Sequence, residues 1–112
     1  MLLGLVNDQG QCRLLDVKEI VYMQTDGAGD LTIYSYDEKF RTISSAQDFA
    51  EYLREVDFVR TDRGTLVNMR RVETYDPAHN VLRLRTKEGE VLVPAARNRR
   101  RVLREYFWDK QV

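Results

Sequence analysis

The sequence predicts a mostly β fold of short antiparallel strands, with one amphipathic helix and a C-terminal helical segment. Three observations support this: short runs in which apolar and polar residues alternate, turn residues such as Gly, Pro and Asp between the runs, and a single internal stretch with helical apolar spacing. The chain of 112 residues is 43% hydrophobic and 32% charged, which is typical of a globular protein. We expect residues 1–112 to form a single domain.

The first part of the chain is predicted to form antiparallel hairpins. Residues 2–6 are expected to be an edge strand, and the glycine-rich stretch DGAGD at 26–30 is expected to be a turn. Residues 31–36 alternate between an apolar and a more polar face, as a half-buried strand does. The predicted strands are residues 2–6, 12–25, 31–36 and 39–43, with a two-residue turn at Asp37 and Glu38.

A helix is predicted after these hairpins. Four apolar residues recur at i, i+3, i+4 and i+7, which gives a helix one apolar face. Ser44 or Ser45 would begin it through a capping side chain, and it would end near Glu55. The apolar positions are Ala46, Phe49, Ala50 and Leu53.

The second half of the chain is predicted to return to strands before a terminal helix. Residues 72–76 and 80–86 flank a turn marked by the Asp76-Pro77 pair, and Gly89 supplies a positive φ for the next turn. Pro94 is expected to end the last strand, because it cannot donate a hydrogen bond to a sheet. Residues 95–108 are predicted to be helical, with Val102, Leu103, Tyr106 and Phe107 facing inward and Arg97, Arg100, Arg101 and Arg104 on the opposite side.

The residue types disfavour an enzyme, a metalloprotein and a membrane protein. The sequence has one cysteine, Cys12, and one histidine, His79, which falls in a predicted solvent-exposed turn. It contains none of the nucleotide-binding, zinc-binding or nucleophile motifs, so we expect no catalysis, no metal and no cofactor. Because no apolar run has the length of a membrane span and no signal peptide is present, we expect a cytoplasmic protein without membrane contact.

Basic residues are concentrated in the second half, although the formal net charge is zero. Residues 1–59 hold five Lys/Arg against eleven Asp/Glu, whereas residues 60–112 hold thirteen against seven. The excess lies in two clusters, FVRTDRGTLVNMRR at 58–71 and ARNRRRVLR at 96–104. All nine basic residues of these clusters are arginine, which favours bidentate acceptors such as phosphate oxygens and the guanine edge in a major groove. Ion pairs with the acidic first half are the alternative explanation.

Four stretches of the chain carry the pattern of a known family: VKEIVYMQ (17–24), AQDFAEYL (46–53), FVRTDRGTLVN (58–68) and VLVPAARNRRRVL (91–103). The third resembles the signature F-x-R-x-H-R-S-x-x-V-N of LytTR DNA-binding domains, the output modules of many bacterial response regulators. The others resemble the opening strand, the preceding helix and the closing segment of that family, so the likeness spans roughly residues 14–107. The matching residues, in order, are Phe58, Arg60, Arg63, Val67, Asn68, Pro94 and Arg97.

The resemblance implies elongated, stacked antiparallel sheets that bind double-stranded DNA through three loops instead of a recognition helix. By position, these loops are residues 26–30, 61–65 and 95–99. Arg97 would read a base, and Arg63 would contact a base or a phosphate. Arg60, Arg99, Arg100 and Arg41 would contact the DNA backbone, and Asn98 belongs to the third loop. Asn68 is expected to hold backbone in place through its amide, away from DNA.

Four positions depart from the family pattern. Asp62 stands where the family usually has histidine, Gly64 replaces a serine, Ala96 stands at a frequent serine position, and Gly29 lies where some relatives have a larger polar residue. Either the domain recognises an unusual DNA site through its arginines, or the scaffold serves protein interaction or dimerisation. For the second role, the exposed sheet edges would be residues 2–6 or 31–36, with Tyr34 and Tyr36 as contacts; the alternative is that these tyrosines form one side of an ordinary core.

The first predicted strand begins beside Met1, so we expect no receiver domain ahead of this module. Regulation would then depend on self-association, as a homodimer on two DNA half-sites, or on a separate sensor or regulatory protein.

Overall fold

A computed structural model describes residues 1–42, 46–54 and 56–110, with 108–110 described through the backbone alone. This part of the chain contains ten strands, two α-helices and three short 3-10 helices. The strands are β1 (Leu2–Asn7), β2 (Cys12–Asp16), β3 (Ile20–Thr25), β4 (Leu31–Ser35), β5 (Lys39–Thr42), β6 (Phe58–Asp62), β7 (Thr65–Asn68), β8 (Thr74–Asp76), β9 (Val81–Thr86) and β10 (Gly89–Pro94). The helices are α1 (Ala46–Tyr52) and α2 (Arg100–Lys110), and the 3-10 helices are Val17–Glu19, Met69–Arg71 and Arg97–Arg99.

The strands form two antiparallel sheets. The larger sheet has seven strands in the order β2-β1-β5-β4-β3-β7-β6, and the smaller has three in the order β10-β9-β8. Both β3–β4 and β6–β7 contain a register shift near one end. The predicted mostly β fold of stacked antiparallel sheets is confirmed.

The larger sheet lies between two separate hydrophobic cores. Met23 and Leu66 face the core that includes α1, whereas their neighbours Tyr22 and Val67 face the core formed with the smaller sheet and α2. Successive residues of a strand point to opposite faces, so β3 and β7 are buried on both sides. These two strands form the fixed centre from which the loops project, in a molecule 40 Å long and 27 Å across.

The local predictions for the first half are mostly confirmed, but residues 12–25 form two strands, β2 and β3, separated by the 3-10 helix Val17–Glu19, and not one strand. Leu31, Ile33 and Ser35 are buried on one face of β4, and the turn into β5 is closed by a 2.9 Å bond from Ser35 N to Glu38 O. Helix α1 buries Ala46 and Phe49, and Leu53 is fully buried directly after it. The helix ends at Tyr52, while the predicted helix-starting serines 44 and 45 and the predicted end at residue 55 fall outside the described residues.

The predicted sheet edges are wrong. β1 lies between β2 and β5, and β4 lies between β5 and β3, so neither strand is at an edge; the edges are β2 and β6. The second neighbour of β1 is β5, which pairs through Val6 with Arg41 and Asn7 with Phe40. Alternation within one strand carries no information on a partner more than thirty residues away, which explains the error.

The second half also follows its local signals. Gly89 has a φ of 117°, β10 ends at Pro94, and Leu103 of α2 is fully buried. Val102, however, is 44% exposed, because successive helical residues are about 100° apart and Val102 therefore points away from the face of Leu103. No helix among the described residues is long and apolar enough to span a membrane.

Candidate nucleic-acid interface

Two of the loops singled out by sequence are neighbours at one end of the larger sheet. β3 pairs with β7 so that Gln24 lies opposite Thr65, which brings the β3–β4 turn next to the β6–β7 turn. The backbone N–H of Thr25 donates to the carbonyl of Gly64 at 2.8 Å. A Cβ on Gly64 would lie 3.3 Å from Cβ of Thr25, so glycine permits this close approach.

The third loop joins the same end of the molecule through a backbone hydrogen bond. Ala96 N–H donates to the carbonyl of Thr61 at 2.6 Å, which attaches the segment after β10 to the last part of β6. The three segments are therefore linked in succession, although they are far apart in the sequence. We refer to residues 26–30, 61–65 and 95–99 together as the loop end.

Aspartate side chains shape two of these loops from within. Oδ1 of Asp26 accepts from the N–H groups of Ala28 (2.9 Å) and Asp30 (3.0 Å), and Gly29 has a φ of 89°. Oδ1 of Asp62 accepts from Gly64 N–H at 2.9 Å, which closes the β6–β7 turn. The departure from the family pattern at position 62 thus has a structural role, because this carboxylate satisfies a backbone donor of the turn.

Arg60 braces the same turn from the side. Its Nε donates to the carbonyl of Arg63 at 3.2 Å, and its Nη2 donates to the same oxygen. The guanidinium keeps its charge and its remaining donors beside the turn. Arg60 therefore holds the backbone that presents Arg63.

Three arginines of the loop end make no side-chain hydrogen bond or ion pair within the described part of the protein: Arg63, Arg97 and Arg99. Arg63 and Arg97 are exposed, as is Asn98, and Arg99 is half-buried. The backbone bond between Ala96 and Thr61 brings the segments that carry Arg63 and Arg97 to the same end of the domain. Their guanidinium donors remain available to an anion.

Arg100 lies apart from this group. Its Nη2 donates to the carbonyl of Pro77 (3.3 Å) and to Oδ1 of Asn80 (3.1 Å) in the turn between β8 and β9, and its Nε is buried without a partner. The prediction from sequence that Arg100 lies on the side of α2 opposite its apolar face is wrong. Arg100 lies close to Leu103 around the helix axis, because residues three apart share a face.

The other two arginines of the first basic cluster have partners inside the domain. Nε of Arg70 is 2.6 Å from Oδ2 of Asp57, and Nη2 of Arg71 donates to the carbonyl of Lys18 at 2.7 Å. Both lie at the end of β7 opposite the loop end. The alternative explanation from sequence, an ion pair with the acidic first half, therefore holds for Arg70, whereas Arg71 bonds a backbone carbonyl and not a carboxylate.

Asn68 connects backbone segments, as the sequence predicts. The residue is 2% exposed, its Nδ2 donates to the carbonyl of Ile20 at 2.9 Å, and its Oδ1 accepts from Arg70 N–H at 3.1 Å. It ties the start of β3 to the end of β7, far from the loop end.

No pattern in the sequence indicates where the turn at residues 77–80 packs. Ala95 N–H donates to the carbonyl of Asn80 at 2.8 Å, so this turn adjoins the third loop. Asp76-Pro77 signals a turn, but no local pattern identifies the segment against which a turn packs.

Comparisons with known proteins agree with this architecture. The family model described as the LytTr DNA-binding domain matches residues 10–108. Among solved structures, the LytTr DNA-binding domain of a Bacillus cereus protein described as a methyl-accepting/DNA response regulator aligns with a TM-score of 0.77 and 18% identity, over 93% of this chain and 94% of that one. No curated protein matches the chain. Because the family model covers most of the sequence, the chain belongs to the LytTR DNA-binding domain family.

Proposed function

We propose that the protein is a transcriptional regulator that binds a specific double-stranded DNA sequence through its loop end. The observation that carries this proposal is the attachment of three loops to one another, with Arg63 and Arg97 exposed and without partners among the residues that the structure describes. Exposed guanidinium groups at one end of a rigid sheet suit bidentate contacts to phosphates and guanines. Membership of a family of DNA-binding domains, which is not an enzyme family, supports the same general role.

The contacts differ in what they contribute. Arg97 contacts the O6 and N7 of a guanine, and Arg63 contacts a base or a phosphate. Each bidentate contact to a base favours the correct base over the others by about 1–3 kcal/mol. Arg60 and Arg99 contact phosphates and set the position of the domain on the duplex. The remaining loop residues with proposed proximity to DNA are Gly29, Asp62, Gly64 and Asn98, while Arg100 acts through the turn that it holds.

A second candidate function is protein interaction or dimerisation. The outer face of the β1–β2 hairpin favours it, because Leu2 (62%), Val6 (43%) and Leu14 (75%) are exposed there and Leu14 pairs across from Gly4. Contiguous exposed apolar residues indicate an interaction surface. A homodimer on two half-sites, or a complex with a separate sensor protein, would use this face and leave the loop end free for DNA.

Selection from a random duplex pool at two salt concentrations tests the proposal. The wild type should enrich one motif, and the double variant Arg63→Ala, Arg97→Ala should lose this enrichment. Each of the two side chains that contacts a phosphate should make the slope of log K against log salt shallower by about 0.9 when it is removed, whereas loss of a contact to a base should mainly reduce motif selectivity. A matched control is Arg83→Ala, Arg85→Ala, which removes the same charge from exposed arginines of the smaller sheet that pair with glutamates.

The control variant should keep the motif and nearly the wild-type slope. Equal losses in the two double variants would show that only overall charge matters, which contradicts the proposed contacts. Absence of binding to any duplex at low salt would refute the DNA-binding function and favour the interaction module.

A further inference from the structure

The turn between β8 and β9, at residues 77–80, is fastened to the third loop and to the start of α2 by two independent contacts. The carbonyl of Asn80 accepts from Ala95 N–H at 2.8 Å, and Nη2 of Arg100 donates to Pro77 O and to Asn80 Oδ1. Since Ala95 precedes Ala96, which bonds to Thr61, consecutive residues of one segment hold the β6–β7 turn on one side and this turn on the other. The turn therefore extends the loop end by a fourth element.

His79 is the exposed side chain of this fourth element. Its Nδ1 is 2.7 Å from Oδ2 of Asp76, while Oδ1 of Asp76 accepts from the N–H groups of Ala78 (3.0 Å) and His79 (3.2 Å). The carboxylate thus fixes the turn and the imidazole together. The side chain of His79 is 78% exposed, which leaves Nε2 open to solvent.

We propose that His79, held by Asp76 on a turn docked by Arg100, is an additional contact to a DNA phosphate, made when its imidazole is protonated. This inference rests on the proposed function and names a contact outside the three loops. When the imidazole is neutral with its proton on Nδ1, Nε2 has no proton to donate, and the pair with Asp76 carries a negative charge that repels a phosphate. The protonated ring donates from Nε2, and the pair is then neutral overall.

The charged groups around the imidazole are consistent with this role. Asp76 lies on the same turn, and hydrogen bonding to His79 holds the pKa of its carboxyl below the ordinary value, with further lowering by the N–H groups of His79 and Ala78. Helix α2 contributes one cation to the turn, Arg100, whose Nη2 donates to Pro77 O and Asn80 Oδ1. A phosphate at this turn would therefore be near one further positive group as well as the ring.

DNA affinity measured by fluorescence anisotropy on the selected duplex, at pH 6 and pH 8 and over a range of salt, tests the inference. At pH 6, His79→Gln should bind about three- to tenfold more weakly than the wild type, with a salt slope shallower by about one. At pH 8 the difference between the two should be smaller, because a higher pH favours the neutral imidazole. His79→Lys should bind equally well at both pH values, since its charge does not depend on pH in this range.

Lys87→Gln is the matched control, because it removes an exposed cation from the β9–β10 turn at the other end of the smaller sheet. It should reproduce the wild-type affinity and slope at both pH values. A wild type that binds its motif while His79→Gln has the same affinity and slope at pH 6 overturns this inference and leaves the proposed function intact. A wild type without motif-selective binding overturns both.

Discussion

Replacing Asn68 with alanine separates structural support from DNA contact. The variant removes the bond from Nδ2 to Ile20 O (2.9 Å) and the bond from Arg70 N–H to Oδ1 (3.1 Å). Ile20 is fully buried, so its carbonyl oxygen would lose a hydrogen-bond donor that water cannot replace. Arg70 is exposed, so its N–H can bind water instead. The first loss costs about 1–2 kcal/mol and the second about 0.5–1 kcal/mol.

The summed loss of about 1.5–3 kcal/mol is a large share of the stability of a small domain, which is about 5–15 kcal/mol. For a domain of this size, it corresponds to a fall in Tm of about 6–13 °C. Urea and thermal unfolding followed by circular dichroism would measure both quantities. Asn68→Asp, which keeps the acceptor for Arg70 but faces Ile20 O with another acceptor, should be at least as destabilised.

DNA affinity of the Asn68→Ala variant should be measured well below its Tm, where the variant is folded. We expect a change of less than about twofold, because Asn68 lies at the opposite end of β7 from the loop end. A fall in Tm of less than 3 °C would refute the argument from the two hydrogen bonds. A large loss of DNA affinity in the folded variant would show that Asn68 belongs to the interface.

Three further predictions concern the turn at 62–64 and the core formed with the smaller sheet and α2. Asp62→Asn should change the free energy of unfolding by less than about 0.5 kcal/mol, because the amide oxygen can still accept from Gly64 N–H. The same variant should bind DNA about two- to fivefold more tightly, because it lacks a negative charge, and fluorescence anisotropy would measure this change. Gly64→Ser should cost up to about 1 kcal/mol in urea unfolding, since its Cβ would lie 3.3 Å from that of Thr25. Burial, and then the neighbouring Tyr34, raise the pKa of Tyr22, so the neutral phenol stabilises the fold. The stability that the neutral phenol contributes is complete below about pH 10 and is lost as the pH rises further. Between pH 9 and about pH 11, the free energy of unfolding should therefore fall less for Tyr22→Phe than for the wild type. Equal losses would refute this assignment.

Features set by neighbouring residues could be predicted from the sequence. The alternation in 31–36 predicts the buried face of β4, Gly89 predicts a turn with positive φ, and Pro94 predicts the end of β10, because each depends on the local backbone. The resemblance identified the three loops, but not how they attach to one another.

Features that depend on distant segments could not be predicted. The bond between Ala96 and Thr61 joins residues that are far apart in the sequence, and no periodicity encodes it. The same limit applies to the arginines: Arg63 and Arg70 look equivalent in the sequence, but only folding brings Asp57 within 2.6 Å of Arg70. Whether a cationic side chain is available to a ligand is therefore a property of tertiary structure.

This division of the arginines explains how a chain of zero net charge can suit DNA. Arg70 and Arg71 are occupied at the end of β7 remote from the loops, where Arg70 pairs with a carboxylate and Arg71 donates to a backbone carbonyl. At the loop end, the carboxylates of Asp26 and Asp62 are engaged with backbone N–H groups, whereas Arg63 and Arg97 are not engaged. A neutral molecule has little long-range attraction to a polyanion, so non-specific affinity should be weak. In the proposed complex, binding energy would then come from short-range contacts of a few positioned guanidinium groups, and these contacts would depend on the DNA sequence that can receive them.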